Sequence, residues 1–171
     1  NARIADMLSQ IEYASCAVVS LAYRREQIKH KLNTFGFVVP LAEQRLILSC
    51  SFSSLKYAHR APDDTVLMRV FIGGACQSGL LRLPREQLMQ LAEHELSALL
   101  GISEPPVFRD LTMQIEAMPQ YHVGHCERVE TIEKQLALHP TLALAGSALH
   151  GVGVPGCIES GQKAAERVAN A

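Results

Sequence analysis

Tryptophan is absent from this 171-residue chain, and the aromatic share is only 5%. A base-stacking platform for single-stranded nucleic acid needs more than that. Neither sign of charge is in excess. Lys+Arg number 16 against 17 Asp+Glu, a formal net charge of -1, which removes the electrostatic case for nucleic acid or an anionic surface. No apolar run reaches the ~18 residues of a membrane-spanning helix. The cysteines, Cys16, Cys50, Cys76, Cys126 and Cys157, are odd in number, widely spaced and free of any C-x-x-C pair. They suggest neither a zinc ribbon nor a redox couple, and read as buried thiols kept reduced in a cytoplasm. Also missing are G-x-S-x-G, H-E-x-x-H and a Walker glycine loop. With no acid–base, nucleophile or metal motif, any hard chemistry falls to a cofactor.

Apolar residues are plentiful, at 48%. That excludes disorder and supplies the core of one domain or two small lobes. The opening Asn1-Ala2-Arg3 has no methionine, charged leader or apolar signal region, and reads as the cut end of a piece of a longer protein.

Runs of β-branched and aromatic residues at short spacing predict strands over 14–24, 34–39, 45–53, 65–73 and 107–117. Such spacing needs no crossover helices, so the sheet is expected to be mainly antiparallel and the fold α+β. Residues 4–9 read as the end of a helix. Pro84 opens another, with Leu88, Leu91, Ala92, Leu96 and Leu99 at helical spacing and Gly101 as its stop. Glu127 to Leu138 reads as a short amphipathic helix, "TLALAG" (141–146) as a strand buried on both faces, and the stretch from Pro155 as a last helix. The expected division is a sheet with a helix over 10–120 and a helix–strand–helix over 125–170.

Two stretches offer chemistry. In "LAGSALHGVGVPGCIESG" (144–161) a strand runs into a glycine-rich turn that opens a helix. Gly151 and Gly153 let a backbone approach a ligand closely and take dihedrals closed to other residues. The free N–H groups and positive end of the helix attract electron-rich atoms, a phosphate or the pyrimidine end of a flavin. A tight turn without a ligand is the plain alternative. In "MPQYHVGHCERV" (118–129), His122, His125 and Cys126 would bind metal only if one helix presented all three. Gly124 in their midst favours loop histidines instead.

Four blocks in order, "FGFVVPLAEQRLILSCSFSS", "RAPDDTVLMRVFIGG", "MPQYHVGHCERVETIEKQL" and "LALAGSALHGVGVPGCIESGQKAA", together resemble the C-terminal part of the FAD-dependent protoporphyrinogen oxidases, which are amine-oxidase-like flavoproteins. The similarity runs from about residue 10 to 168. It implies that 10–120 is part of a substrate-binding domain. It implies equally that 125–170 is the C-terminal segment of a split FAD-binding domain, whose dinucleotide-binding half is absent here. The implied activity is oxidation of protoporphyrinogen IX to protoporphyrin IX with dioxygen, FAD being the cofactor, and the piece alone is expected to be inactive.

By the same resemblance Gly146, Gly151, Val152, Gly153 and Val154 match the turn against the flavin ring. Gly36, Val38, Ser51 and Phe71 fall at substrate-pocket positions. Ser51 replaces an apolar residue of the family and Gly156 replaces an Asp, which leaves the exact substrate open. Arg69 shares strand parity with Phe71, so both side chains point to one face. Peripheral membrane contact is implied only for a region outside this chain. A homodimer is expected through the sheet face holding Val38 and Phe71. Two other readings remain: another flavin oxidase or desaturase of a flat apolar substrate, and a non-enzymatic α+β ligand-binding or dimerisation module.

Overall fold

A computed structural model of the chain describes residues 2–170. In order these form α1 (Ala2–Ser9), β1 (Tyr13–Arg24), β2 (Gly36–Val38), β3 (Ser49–Phe52), α2 (Ser53–Lys56), β4 (Thr65–Gly73), α3 (Arg85–Leu100), β5 (Phe108–Pro119), α4 (His125–Leu136) and α5 (Val154–Ala169). The α+β expectation holds. There are two compact units: Ser15–Ile115, and the residues up to Ala14 together with those from Glu116 onwards.

The larger unit is built on a five-stranded sheet of order β2-β3-β4-β1-β5. The pairs β2–β3, β3–β4 and β1–β4 are antiparallel, with Val18↔Phe71 and Ser20↔Arg69 in register between β1 and β4. Alternation along the strands sorts the side chains. Ala17, Val19, Leu21 and Tyr23 of β1 join Val66, Met68, Val70 and Ile72 of β4 in one buried cluster. Leu88, Ala92, Leu96 and Leu100 of α3 complete that cluster. A spacing of four keeps these on one helix face, which is why α3 covers the sheet with a single stripe. Its other faces carry charge. Arg109 of β5 reaches Glu86 at 2.7 Å and Glu93 at 3.3 Å, and the buried Glu95 is paired with Arg45 at 2.9 Å.

In the smaller unit α1 and α4 share a second cluster: Ile4, Ile11, Val129, Ile132, Leu136 and Leu149. By contrast, α5 has no buried residue although it is 16 residues long, and Ile158 and Val168 stand exposed along it.

Of the cysteines expected as buried thiols, Cys16 and Cys50 are buried, Cys157 is half-buried, and Cys76 and Cys126 are exposed. Three expectations about the elements also need correction. Residues 141–146 are not a strand: the segment is irregular. A strand needs a ladder, and among the described residues none pairs with it. The C-terminal part is therefore helix–loop–helix. Secondly, β3 begins at Ser49 rather than at residue 45. Side chains satisfy the preceding backbone instead: Leu46 N–H donates to the Glu95 carboxylate at 3.3 Å and Gln77 donates to the Arg45 carbonyl at 2.7 Å. Finally, α4 runs His125–Leu136, two residues earlier than expected, because Gly124 turns the chain into it at φ 89°.

Candidate functional site

The glycine turn lies in the smaller unit. Gly146 and Gly151 have φ of 117° and 69°, conformations that side chains rarely tolerate. Gly153 does not: at φ -94° and ψ 160° it is extended backbone open to any residue. The expectation that both Gly151 and Gly153 need glycine-only dihedrals is corrected to Gly151 alone. Gly153 sits where α5 begins, and no side chain caps that end. The helical ladder starts with Cys157 N–H donating to the Gly153 carbonyl at 3.0 Å. The N–H groups of Val154 and Gly156 precede that ladder, and Pro155 has none to offer. Val152 and Val154 flank them in the open, Val154 being 73% exposed.

Several bonds hold this turn in shape. Gly146 N–H donates to Ser160 Oγ at 2.7 Å, tying the turn's entry to the second turn of α5. Tyr121 donates to the Ser147 carbonyl at 2.6 Å, and His125 Nε2 bonds the Leu149 carbonyl at 3.1 Å. The Tyr121 and His125 rings stack 3.9 Å apart at 11°. Partial burial raises the Tyr121 phenol above its ordinary pKa, with smaller contributions from Cys157 and Tyr13. The histidines of the 118–129 stretch divide. His122 turns to Glu12 at 3.0 Å while His125 serves the turn, and no group of three ligands is assembled among the described residues. Tyr121 and Ser160 were missed in the sequence. Their only signal was proximity of Tyr121 to the histidines.

An open cavity of about 490 Å³ lies beside the turn, lined by Gly151, Gly156, Ser160, Leu144 and Leu149 among others. Its basic side chains are already engaged. Lys163 pairs with Glu159 at 2.6 Å, His150 with Glu133 at 2.8 Å, and Arg167 caps the Leu136 carbonyl at the end of α4. Glu159 holds the Lys163 ammonium pKa up and is itself held down by it. What the turn offers an electron-rich ligand is therefore backbone N–H and helix dipole rather than side-chain charge. An exposed, uncapped helix start with two uncommitted donors fits a flavin's polar edge.

The other expected positions lie in the larger unit, on the sheet face opposite α3. Gly36 pairs with Ser51, Ser51 with Arg69, and Arg69 with Ser20. Val38 pairs with Ser49, Ser49 with Phe71, and Phe71 with Val18. Gly36, Val38, Ser51 and Phe71 therefore share one face in two adjacent rows, with Val38 79% exposed. Gly36 is a true close-approach glycine: a Cβ there would stand 2.2 Å from the Cys50 carbonyl oxygen. The Arg69 guanidinium lies 5.9 Å from the Phe71 ring centroid.

The flavin containing amine oxidoreductase family matches residues 2–169, and the chain belongs to that family. Within it, the chain is 37% identical over 165 residues to coproporphyrinogen III oxidase of Propionibacterium freudenreichii subsp. freudenreichii, covering 96% of this chain and 31% of that protein. It is 34% identical over 171 residues to protoporphyrinogen oxidase of Bos taurus, covering 96% of this chain and 35% of that protein. A crystal structure of a protein assigned as a protoporphyrinogen oxidase from Exiguobacterium sp. 255-15 matches with TM-score 0.81 at 29% identity. That match covers 94% of this chain and 35% of the other. The chain thus spans about a third of the length of these relatives. No helix among the described residues is long and apolar enough to cross a membrane.

Proposed function

We propose that this chain is the C-terminal third of an FAD-dependent porphyrinogen oxidase. In this reading residues 125–170 contribute to a split FAD-binding domain and residues 10–120 to the substrate-binding domain. The observation that carries it is the turn Gly151–Val152–Gly153, pinned from both sides and ending in an uncapped helix with uncommitted donors. Gly146, Gly151, Val152, Gly153 and Val154 would hold the flavin. Bound FAD would supply the two-electron acceptor that dioxygen regenerates, leaving hydrogen peroxide. The chain's own residues position and exclude. Backbone N–H groups at α5 favour electron density at the ring's polar edge, while Val152 and Val154 keep water from the adjoining surface. The lack of any fully buried residue on α5 supports the split-domain reading, because an amphipathic helix this exposed gains its stability when something else packs on it.

Gly36, Val38, Ser51 and Phe71 would receive the macrocycle. Protoporphyrinogen IX is the substrate expected from the resemblance. Coproporphyrinogen III is a second reading, and the polarity of the face favours it. Ser20, Ser49, Ser51 and Arg69 stand among its apolar residues, and coproporphyrinogen III carries more carboxylates than protoporphyrinogen IX does. The test is aerobic turnover by the full-length protein. Porphyrin fluorescence should rise with one hydrogen peroxide formed per electron pair removed, and the two substrates' kcat/KM values rank the readings. Absence of both products from a flavin-loaded protein would reject them together.

A further inference from the structure

We propose that Arg69 is the carboxylate anchor of the open sheet face, binding a propionate of the porphyrinogen laid against Phe71. The proposal rests on the porphyrinogen reading above and adds a specificity-determining residue to it.

Position comes first. Arg69 lies on β4 two residues before Phe71, so the two side chains leave the strand on the same face. Its neighbours across the ladder are Ser51 and Ser20. Both are small, so they leave room over the guanidinium. Both carry hydroxyls, which accept or donate beside a bound carboxylate.

The side chain is also aimed. Arg69 Nε donates to Ser53 Oγ at 3.1 Å, and Ser53 is only 5% exposed where α2 begins. A bond from Nε to a fixed, buried hydroxyl sets the plane of the guanidinium and leaves its two Nη groups pointing onward. The Phe71 ring at 5.9 Å supports the same cation from one side.

Lastly, the charge is unspent. Arg24, Arg45 and Arg109 are paired with Asp64, Glu95 and the Glu86–Glu93 pair. Arg25, Arg85 and Arg167 donate to backbone carbonyls. Among the described residues no carboxylate pairs with Arg69. A planar fork held by Nε, with both Nη groups open, matches a carboxylate through two parallel charge-assisted bonds. An aromatic ring two residues along the strand gives the attached macrocycle an apolar surface. Only a ligand that is flat, apolar and acidic at its edge uses both features at once.

Steady-state kinetics of the full-length flavoprotein test this, with coproporphyrinogen III and protoporphyrinogen IX as free acids and as methyl esters. Arg69→Gln should raise KM for the free acids roughly tenfold to a hundredfold, the loss expected for a charge-assisted pair, with kcat within about twofold. Arg69→Lys keeps the charge but not the fork, and guards against a glutamine variant that fails to fold. Its KM should fall between those of the wild type and Arg69→Gln. The esters should show no difference among the three proteins. An unchanged KM for free acids in either variant would overturn the anchor, as would an equal loss on esters. So would a fall in kcat at constant KM. If the wild type turns over neither porphyrinogen, the porphyrinogen reading itself fails and the anchor with it. If the wild type is active and the variants match it, only the anchor fails.

Discussion

Gly36→Ala should detach the edge of the sheet that carries the proposed substrate face. The added Cβ would lie 2.2 Å from the Cys50 carbonyl oxygen and 2.9 Å from the Ser51 Cα. Both are backbone atoms in the paired strand, so no side chain can swing away to make room. The φ of 144° adds strain for any L side chain, at about 1–3 kcal/mol. Relief requires β2 and β3 to part. Their pairing is only Gly36↔Ser51, Phe37↔Cys50 and Val38↔Ser49, so little resists the parting. With it goes the edge-to-face contact of Phe37 on Phe52, at 6.0 Å and 69°, which contributes about 0.5–1.5 kcal/mol. Together these amount to about 1.5–4.5 kcal/mol, concentrated at one edge. Urea unfolding followed with amide exchange on the full-length protein would read it: lower stability, and lost protection at residues 36–38 and 49–51. Gly79→Ala serves as the control, since its Cβ would meet nothing within 4 Å. Equal stability and equal protection in Gly36→Ala and Gly79→Ala would refute the close-approach argument.

Leu96→Ala removes a fully buried side chain where α3 meets the sheet, and should cost about 3 kcal/mol in denaturant titrations; a loss under about 1 kcal/mol would mean that α3 is not seated as described. Gly151→Ala, at φ 69°, should weaken flavin retention on gel filtration, whereas Gly153→Ala, at φ -94°, should retain most of it. The reverse order would place the demanding position wrongly. Burial pushes the Cys50 thiol up to about 12, so its thiol form is favoured by folding. That contribution is complete below the ordinary thiol pKa of about 8.5 and is lost as pH rises from there toward 12. Peptide mapping after alkylation at mildly alkaline pH should find Cys50 unlabelled in native protein and labelled after denaturation. Prompt native labelling would contradict its burial.

Periodicity in the sequence carried the sheet well. The long runs that became β1 and β4 are rich enough in β-branched and aromatic residues to fix their type, and the apolar alternation of Leu111, Met113 and Ile115 marks β5. Strand parity alone puts Arg69 and Phe71 on one face. Periodicity failed where a run depends on partners elsewhere in the chain. Residues 141–146 have the apolar continuity of a buried strand, yet strand type is decided by a ladder that local sequence does not contain. The start of β3 failed for a related reason: Glu95 and Gln77, distant in sequence, satisfy the backbone of residues 45–46. Glycine spacing marked the turn at 146–153 but not which glycine bears the unusual dihedral. Composition alone does not distinguish Gly151 from Gly153. The pins at Tyr121, His125 and Ser160 act across 14 to 26 residues of chain, beyond any local motif.

The most direct measurement is an anaerobic titration of the full-length protein, watching the flavin's visible absorbance while a porphyrinogen is added. The expected result is a yellow protein whose flavin bleaches as coproporphyrinogen III or protoporphyrinogen IX is added, with porphyrin fluorescence growing in step and the colour returning on admission of dioxygen. A protein that holds no flavin would contradict it. So would a flavin that dithionite bleaches but neither porphyrinogen does.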